Sequence, residues 1–295
     1  MPCYNPLKAY QLTNGEIKFH ETRNVQRELK LPCGQCIGCR LERSRQWAVR
    51  CMHEARMYEQ NCFITLTYAP EHVPKRGSLD YSVFQKFMKR LRKHTGPERV
   101  RFYMCGEYGE TEHRPHYHAC LFGYDWPDKT FFRTTPTGEK LYRSETLEKL
   151  WPYGFATTGT LTFESAAYVA RYCTKKITGH NAKDHYKRQD AEGEYELEPE
   201  FGHMSLKPGI GAAWLAKYGN TDVWPFDHVI TRGMETKPPK YYDKILKRTN
   251  PDRFAEIQES REVTAAQWAA DQTPDRLAAK EQVKRAQLRQ LKRTL

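Results

Sequence analysis

His116 and His118 stand one residue apart in the run Arg114-Pro-His116-Tyr-His118-Ala-Cys-Leu-Phe122. The apolar and aromatic character of this run predicts a strand over residues 114–123. Side chains alternate across a strand, so the two imidazoles face the same side. Glu107 closes a neighbouring predicted strand over residues 100–107. A hairpin folding at about residues 109–113 brings its carboxylate beside the histidines. Two imidazoles and one carboxylate can hold a divalent ion and leave positions open for a substrate oxygen. The same set suits non-haem iron, so the ligands alone do not name the metal. His113, on the turn, is a competing third ligand.

A second group lies in Tyr168-Val-Ala-Arg-Tyr172-Cys-Thr-Lys175-Lys176. This is the strongest helical segment of the chain, predicted over residues 164–177. At 100° per residue, Tyr172 falls about 40° from Tyr168 and Lys175 about 20° to the other side. Two phenols and an ammonium therefore share one face. A phenol is a nucleophile, and a neighbouring cation lowers its pKa or steadies a phosphate in a transition state.

The third group is Cys33-Gly-Gln-Cys36-Ile-Gly-Cys39. Three thiols at this spacing, with Cys3 or Cys51 as a fourth, fit a tetrahedral zinc site. A three-thiol iron–sulfur loop is the alternative. The cysteines number nine, an odd count, and the first residues have no apolar leader segment. Reduced thiols and a metal suit that pattern better than a disulfide framework.

Composition sets the setting for this chemistry. The chain has 295 residues, with 48 Lys and Arg against 36 Asp and Glu, a formal charge of +12. It contains 18 Tyr, 13 Phe and 6 Trp. No apolar run is long enough to span a bilayer, so no membrane partner is expected. Cations meet phosphates and rings stack on bases, so a basic, aromatic-rich chain points to nucleic acid. Residues 75–101 hold nine Lys and Arg against Asp80 and Glu98. Lys86, Lys89, Arg90, Arg92, Lys93 and Lys176 are the candidate contacts to a DNA backbone.

Several elements must position these groups. Residues 40–58 predict a helix, and Cys62–Tyr68 a buried strand. Phe84, Phe87, Met88 and Leu91 recur at i, i+3, i+4 and i+7, predicting a helix over residues 79–94 capped by Ser78 or Asp80. A short helix over residues 144–151 and a Thr-rich strand over residues 154–163 follow. The order over residues 62–177 is strand, helix, strand, strand, helix, strand, helix. That predicts an α+β fold on an antiparallel sheet. Four segments are expected: residues 1–60, Cys-rich with a helix; 61–180, the core; 181–250, an accessory segment; and 251–295, a basic helical extension. Asp184, Asp190, Glu192, Glu194, Glu196, Glu198 and Glu200 face only Lys187 and Arg188 locally, which predicts an exposed, mobile acidic loop.

The ordered set Phe63-Ile-Thr-Leu-Thr-Tyr68, Arg114-Pro-His116-Tyr-His118 and Tyr168-Val-Ala-Arg-Tyr172-Cys-Thr-Lys175 resembles the three motifs of HUH endonucleases. It is most similar to the two-tyrosine rolling-circle replication initiators of single-stranded DNA phages of the Microviridae, the gokushoviruses in particular. Pro32–Arg40, Met204–Gly211 and Lys237–Asp243 resemble segments of the same phage proteins. The resemblance implies a ferredoxin-like sheet with the histidines on a central strand. It implies Mg²⁺ or Mn²⁺ at His116, His118 and an acid, to which Glu107 is assigned. It also implies nicking of single-stranded origin DNA by Tyr168 or Tyr172, giving a 5′-phosphotyrosine and a 3′-OH that primes a host DNA polymerase. Lys175 would assist, and a later joining step would release circles. No G-x-x-x-x-G-K-[ST] occurs, so unwinding falls to a host or other separate helicase. The implied setting is the cytoplasm of the host cell. An HUH transposase or relaxase, and a DNA-binding regulator without chemistry, are the alternatives.

Overall fold

The computed structural model describes residues 3–97, 99–109, 113–175 and 182–290; for residues 172–175, 182 and 183 it describes the backbone alone. Lys176 lies outside the described residues. The chain opens with strands β1 (Leu7–Leu12), β2 (Ile17–Lys18) and β3 (Val25–Leu31) and helix α1 (Ile37–Ala55). Next come β4 (Asn61–Tyr68), α2 (Tyr81–Thr95), β5 (Arg101–Tyr108), β6 (Pro115–Phe122), β7 (Thr130–Thr134) and β8 (Lys140–Arg143). Then follow α3 (Glu145–Leu150), β9 (Gly154–Thr160), α4 (Phe163–Lys175), α5 (Ala182–Tyr186), β10 (Lys187–Asp190), β11 (Gly193–Glu196) and β12 (Phe201–Met204). The last elements are α6 (Ala212–Tyr218), β13 (Val229–Thr231), β14 (Met234–Thr236), α7 (Lys240–Thr249), α8 (Pro251–Gln267) and α9 (Pro274–Gln290).

The chain divides into two compact units. One comprises Met1–Arg43 and Asp243–Arg293; the other is built on Ser44–Tyr242. In the first unit β2-β1-β3 form a small antiparallel sheet. Helix α8 is capped by Asn250, whose side chain accepts from the Arg253 amide, and Pro251 fills its first turn. Asp243 receives both guanidinium nitrogens of Arg261 at 3.0 Å.

The second unit carries a seven-stranded antiparallel sheet in the order β12-β5-β6-β4-β9-β8-β7. Alternation along β4 explains its two faces. Cys62, Ile64, Leu66 and Tyr68 join a core with Phe84, Phe87, Met88 and Leu91 of α2 and Leu147 of α3. Phe63 points the other way, into a core with Tyr168, Val169 and Ala170 of α4 and with Ala48 and Cys51. Helix α2 starts where the Asp80 carboxylate accepts from the Ser82 amide at 2.8 Å. Burying each large apolar side chain of its stripe contributes about 1.5–3 kcal/mol. β9 can start only at a glycine. Gly154 has φ +150°, and a Cβ there would lie 2.2 Å from the Ala69 nitrogen.

Motifs far apart in sequence meet on residues 45–54 of α1. Arg45 donates to the Thr236 hydroxyl and the Lys237 carbonyl. Arg50 donates to the Ile210 carbonyl at 3.0 Å and lies between the rings of Trp47 and Tyr241. Buried Glu54 pairs with Arg101 at 2.5 Å and accepts from the Gly211 amide at 2.7 Å.

The antiparallel α+β class matches the sequence expectation. The acidic segment does not. It folds as the β10–β11 hairpin. Asp190 pairs with Arg76, and Glu192 with Lys75 and Arg76. Those cations lie more than a hundred residues away, so a local charge count misses them. β7 and β8 were also not expected; Thr and exposed Phe131 and Phe132 give β7 no apolar alternation.

His53 is buried, stacked on Trp214 at 3.5 Å, with Nδ1 2.8 Å from the Tyr242 hydroxyl. Burial, helped by the charge on Arg56, lowers its pKa to about 3. Between pH 6.5 and 3 the unfolded chain takes up a proton that the folded chain refuses. Stability from this group is therefore complete above pH 6.5 and is lost as pH falls. His53→Gln should shrink the stability difference between pH 7 and pH 5 by about 2 kcal/mol, measured by chemical denaturation.

Candidate active site

β6 lies inside the sheet between β5 and β4. Its register sets Glu107 opposite His116 and Cys105 opposite His118 on one side, and Thr67 and Thr65 opposite them on the other. Paired residues point to the same face, so Glu107, both histidines and both threonines face the α4 layer. Thr162 and Ser165 start α4 with a reciprocal cap, each amide donating to the other's hydroxyl at 2.9 and 3.1 Å.

His118, Glu107 and Tyr168 meet there. Nε2 of His118 lies 2.9 Å from Oε1 of Glu107, and its Nδ1 lies 2.9 Å from the Thr65 hydroxyl. The Tyr168 hydroxyl donates to the same Glu107 oxygen at 3.5 Å. Its ring stands edge-on to His118, with centroids 5.1 Å apart at 86°. Glu107 is 4% exposed, His118 6% and Tyr168 9%. The Arg171 guanidinium sits 5.9 Å from the Tyr168 ring centroid. The carboxylate thus touches both an imidazole and a phenol in a nearly dry site.

His116 stands one pleat nearer the turn and is half-buried. Its Nδ1–H donates to the Arg114 carbonyl at 2.5 Å, and its ring runs parallel to His118 with centroids 6.4 Å apart. Gly109 lies against that ring; a Cβ there would come within 3.2 Å of His116 Cε1. The structure therefore brings His118 and Glu107 together and leaves His116 beside them. His113 is exposed in the turn with φ +49°. Tyr172 and Lys175 belong to α4, with Tyr172 four residues, about one turn, beyond Tyr168. Their side chains lie outside the described residues.

The candidate DNA contacts on α2 are not beside this group. The Phe84–Leu91 stripe holds α2 on the opposite face of the sheet from the histidines. Lys86, Lys89, Arg92 and Lys93 are exposed. Arg90 instead turns inward, its Nε donating to the Leu150 carbonyl at 2.9 Å. Thr65 and Arg171 were not singled out from sequence. The alternation of Phe63, Thr65 and Thr67 carries the signal for Thr65.

Among the described residues, the one group of three or more His, Cys, Asp or Glu close enough to hold a metal ion is Cys3, Cys33, Cys36 and Cys39, with ligand atoms within 4.8 Å of one another. Cys3 is thus the fourth thiol. Cys51 is buried in the other core beside Cys120. Burial pushes the Cys36 thiol up, but the Tyr4 and Cys39 amides and the neighbouring thiols outweigh it and bring the pKa to about 7.

The fold is thus an antiparallel α+β sheet that groups an imidazole, a carboxylate and a phenol on one face. The family model described as replication-associated protein ORF2/G2P matches residues 61–177, the span from β4 through α4. The chain is 32% identical over 290 residues to replication-associated protein VP4 of Bdellovibrio phage phiMH2K, covering 93% of this chain and 88% of that one. It is 33% identical over 291 residues to replication-associated protein ORF2 of Spiroplasma virus 4, covering 90% and 87%. It is 36% identical over 169 residues to replication-associated protein ORF4 of Chlamydia phage 1, covering 54% and 41%. No solved structure matches the chain. The chain belongs to the replication-associated proteins of the Microviridae. No helix among the described residues is long and apolar enough to cross a membrane.

Proposed function

We propose that this replication-associated protein is an HUH-type single-strand endonuclease and DNA-joining enzyme that starts rolling-circle replication. The observation that carries the reading is the meeting of His118, Glu107 and Tyr168 on one sheet face, within the span the replication-associated family model matches. The inner strand order β5-β6-β4-β9 supports the ferredoxin-like core that the motifs imply.

The donor set fits a hard or borderline divalent ion. His118 Nε2 and Glu107 Oε1 lie 2.9 Å apart, the separation of adjacent ligands on an ion with bonds of about 2.1 Å. His118 and Glu107 would hold Mg²⁺ or Mn²⁺; His116, which is not within ligand distance of both in this structure, would turn toward them to serve as the third ligand. When bound, the ion supplies Lewis-acid polarisation of the scissile phosphate. Thr65 holds the His118 ring in orientation through Nδ1. The Tyr168 hydroxyl donates to Glu107 at 3.5 Å, so the carboxylate would hold the phenol in orientation, its proton passing to solvent as the oxygen attacks phosphorus. The tyrosine O–P bond forms as the P–O3′ bond breaks, and the released 3′-oxygen takes up a proton. The phosphodiester bond energy is kept in the phosphotyrosine, so rejoining needs no ATP. Tyr172, one helical turn on, serves as the second nucleophile for the closing step. The 3′-OH serves a host polymerase, and a separate helicase unwinds the duplex. The four thiols take no part in this chemistry.

The sheet register also supports a seat for the single strand. Thr67 pairs with His116 on one side and with Phe155 of β9 on the other. Phe155 therefore shares the histidine face, two strands away, at about 9.6 Å by strand spacing. It is 60% exposed, so its ring face is open for a base to stack on.

Incubation with labelled single-stranded origin DNA and Mn²⁺ should give a covalent adduct that survives SDS. Glu107→Gln should slow adduct formation by about 10²–10⁴-fold, and Thr65→Val by about 10–100-fold, with DNA binding retained. Tyr168→Phe with Tyr172→Phe should abolish the adduct. Tight binding with no adduct from the unaltered chain would favour the regulator reading.

Phe155→Ala should weaken single-strand binding by about 1–3 kcal/mol, roughly fivefold to a hundredfold, in a titration by fluorescence anisotropy. Phe155→Trp should retain it. Unchanged affinity in Phe155→Ala would remove the ring from the DNA path.

A further inference from the structure

We infer that Cys3, Cys33, Cys36 and Cys39 form a closed four-thiolate site for one structural zinc ion, separate from the chemistry of the sheet. The first support is spacing. All four sulfurs lie within 4.8 Å of one another. Cys33 Sγ and Cys39 Sγ are 4.0 Å apart, as are Cys3 Sγ and Cys36 Sγ. A tetrahedron with Zn–S bonds of about 2.3 Å has edges of about 3.8 Å. A disulfide requires about 2.05 Å, so neither close pair is bonded. A multi-iron cluster interposes several atoms between its thiolates and holds them further apart than one ion does.

The second support is the surrounding backbone. The Cys33 amide donates to Cys3 Sγ at 3.3 Å, the Cys36 amide to Cys33 Sγ at 3.3 Å, and the Tyr4 amide to Cys36 Sγ at 3.4 Å. Amides aimed at sulfur stabilise thiolate over thiol and fix each ligand's direction. Cys39 lies in the first turn of α1, where the helix end also favours negative charge. Sequence spacing explains the arrangement. Two x₂ intervals bend the chain round one point, and the N-terminal segment returns Cys3 as the fourth corner.

The third support is need. Buried hydrophobic residues in the unit of Met1–Arg43 and Asp243–Arg293 include Cys3, Ala9, Tyr10, Cys36, Leu246, Ile257 and Leu277, a thin core for its length. β3 has no buried residue at all. Units with so little apolar burial commonly rely on a metal or another cross-link for stability. Soft thiolates select zinc over the harder ions that suit imidazole and carboxylate.

The test uses the full chain purified without chelator. Elemental analysis should find one zinc per chain, and titration with a mercurial thiol reagent should release that zinc as four thiols react. Cys3→Ser and Cys36→Ser should each lose the zinc and lower Tm, while Cys51→Ser keeps it. If the serine variants do not fold, Co²⁺ loaded into the unaltered chain should show the intense visible bands of tetrahedral thiolate coordination. Substoichiometric zinc with no cobalt spectrum would overturn the site. Iron in place of zinc would overturn the ion, and zinc loss in Cys51→Ser equal to that in Cys3→Ser would overturn the ligand set. None of these readouts depends on DNA cleavage.

Discussion

The pairing register between β5 and β6 is the constraint on which the candidate site depends. It sets Glu107 opposite His116 and one pleat from His118. A slip of one residue would turn Glu107 to the other face of the sheet, among the side chains around α2. The register is held on both faces. Met104, Tyr117, Ala119 and Leu121 pack against α2, and Tyr103, Cys105, Cys120 and Phe122 pack against α4. Two cores of different composition make the alternative registers costly, because each would bury Glu107 or a histidine among apolar side chains.

Helix α1 fixes the outer parts of the same unit. Its residues Arg45, Arg50, His53 and Glu54 bind segments around residues 208–211 and 236–242, mainly through backbone carbonyls, an amide and ring faces. The Glu54–Arg101 pair is almost fully buried, and Arg101 is also bound to the Pro208 carbonyl at 2.6 Å. An ion pair so enclosed gains little net stability over apolar packing, yet losing one partner leaves a buried charge. Its value here is directional: it ties the start of β5 to α1 and to the chain at Gly211. That explains why the Met204–Gly211 and Lys237–Asp243 segments look as characteristic as the site motifs although neither supplies a side chain to the histidine, glutamate and tyrosine cluster.

Much of this was legible in sequence where periodicity was strong. The stripe of α2, the alternation of β4 and β6 and the spacing of α4 are local signals, and their elements lie within a residue or two of expectation. Antiparallel register follows from strand ends, so the expected hairpin also brought Glu107 to His118. Three things were not legible. Charge composition has no direction, so a count of the α2 cations does not say that the apolar stripe puts them on the far face of the sheet. The acids of residues 184–200 found their cations across the fold, at Lys75 and Arg76. The choice between Cys3 and Cys51 rests on a chain reversal that β1 and β3 produce, and no local signal in these short strands sets how they pair across residues 13–24.

The sulfur cluster and the histidine and glutamate set proposed to hold the second ion differ in the property that matters for the tasks proposed for them. Imidazole and carboxylate bind borderline and hard ions through a set that stays open on one side, which suits an ion that must meet a phosphate and then let it go. Four thiolates close round a soft ion and leave no position for substrate. A chain that uses both as proposed must keep them from competing for one ion. Here ligand chemistry performs that separation: no cysteine that joins the sulfur cluster lies in the β4–α4 span, and the cysteines within the sheet, such as Cys62, Cys105 and Cys120, are buried as small apolar side chains. Burial pushes the thiols of Cys62 and Cys120 up, which keeps them protonated and unavailable as ligands near neutral pH.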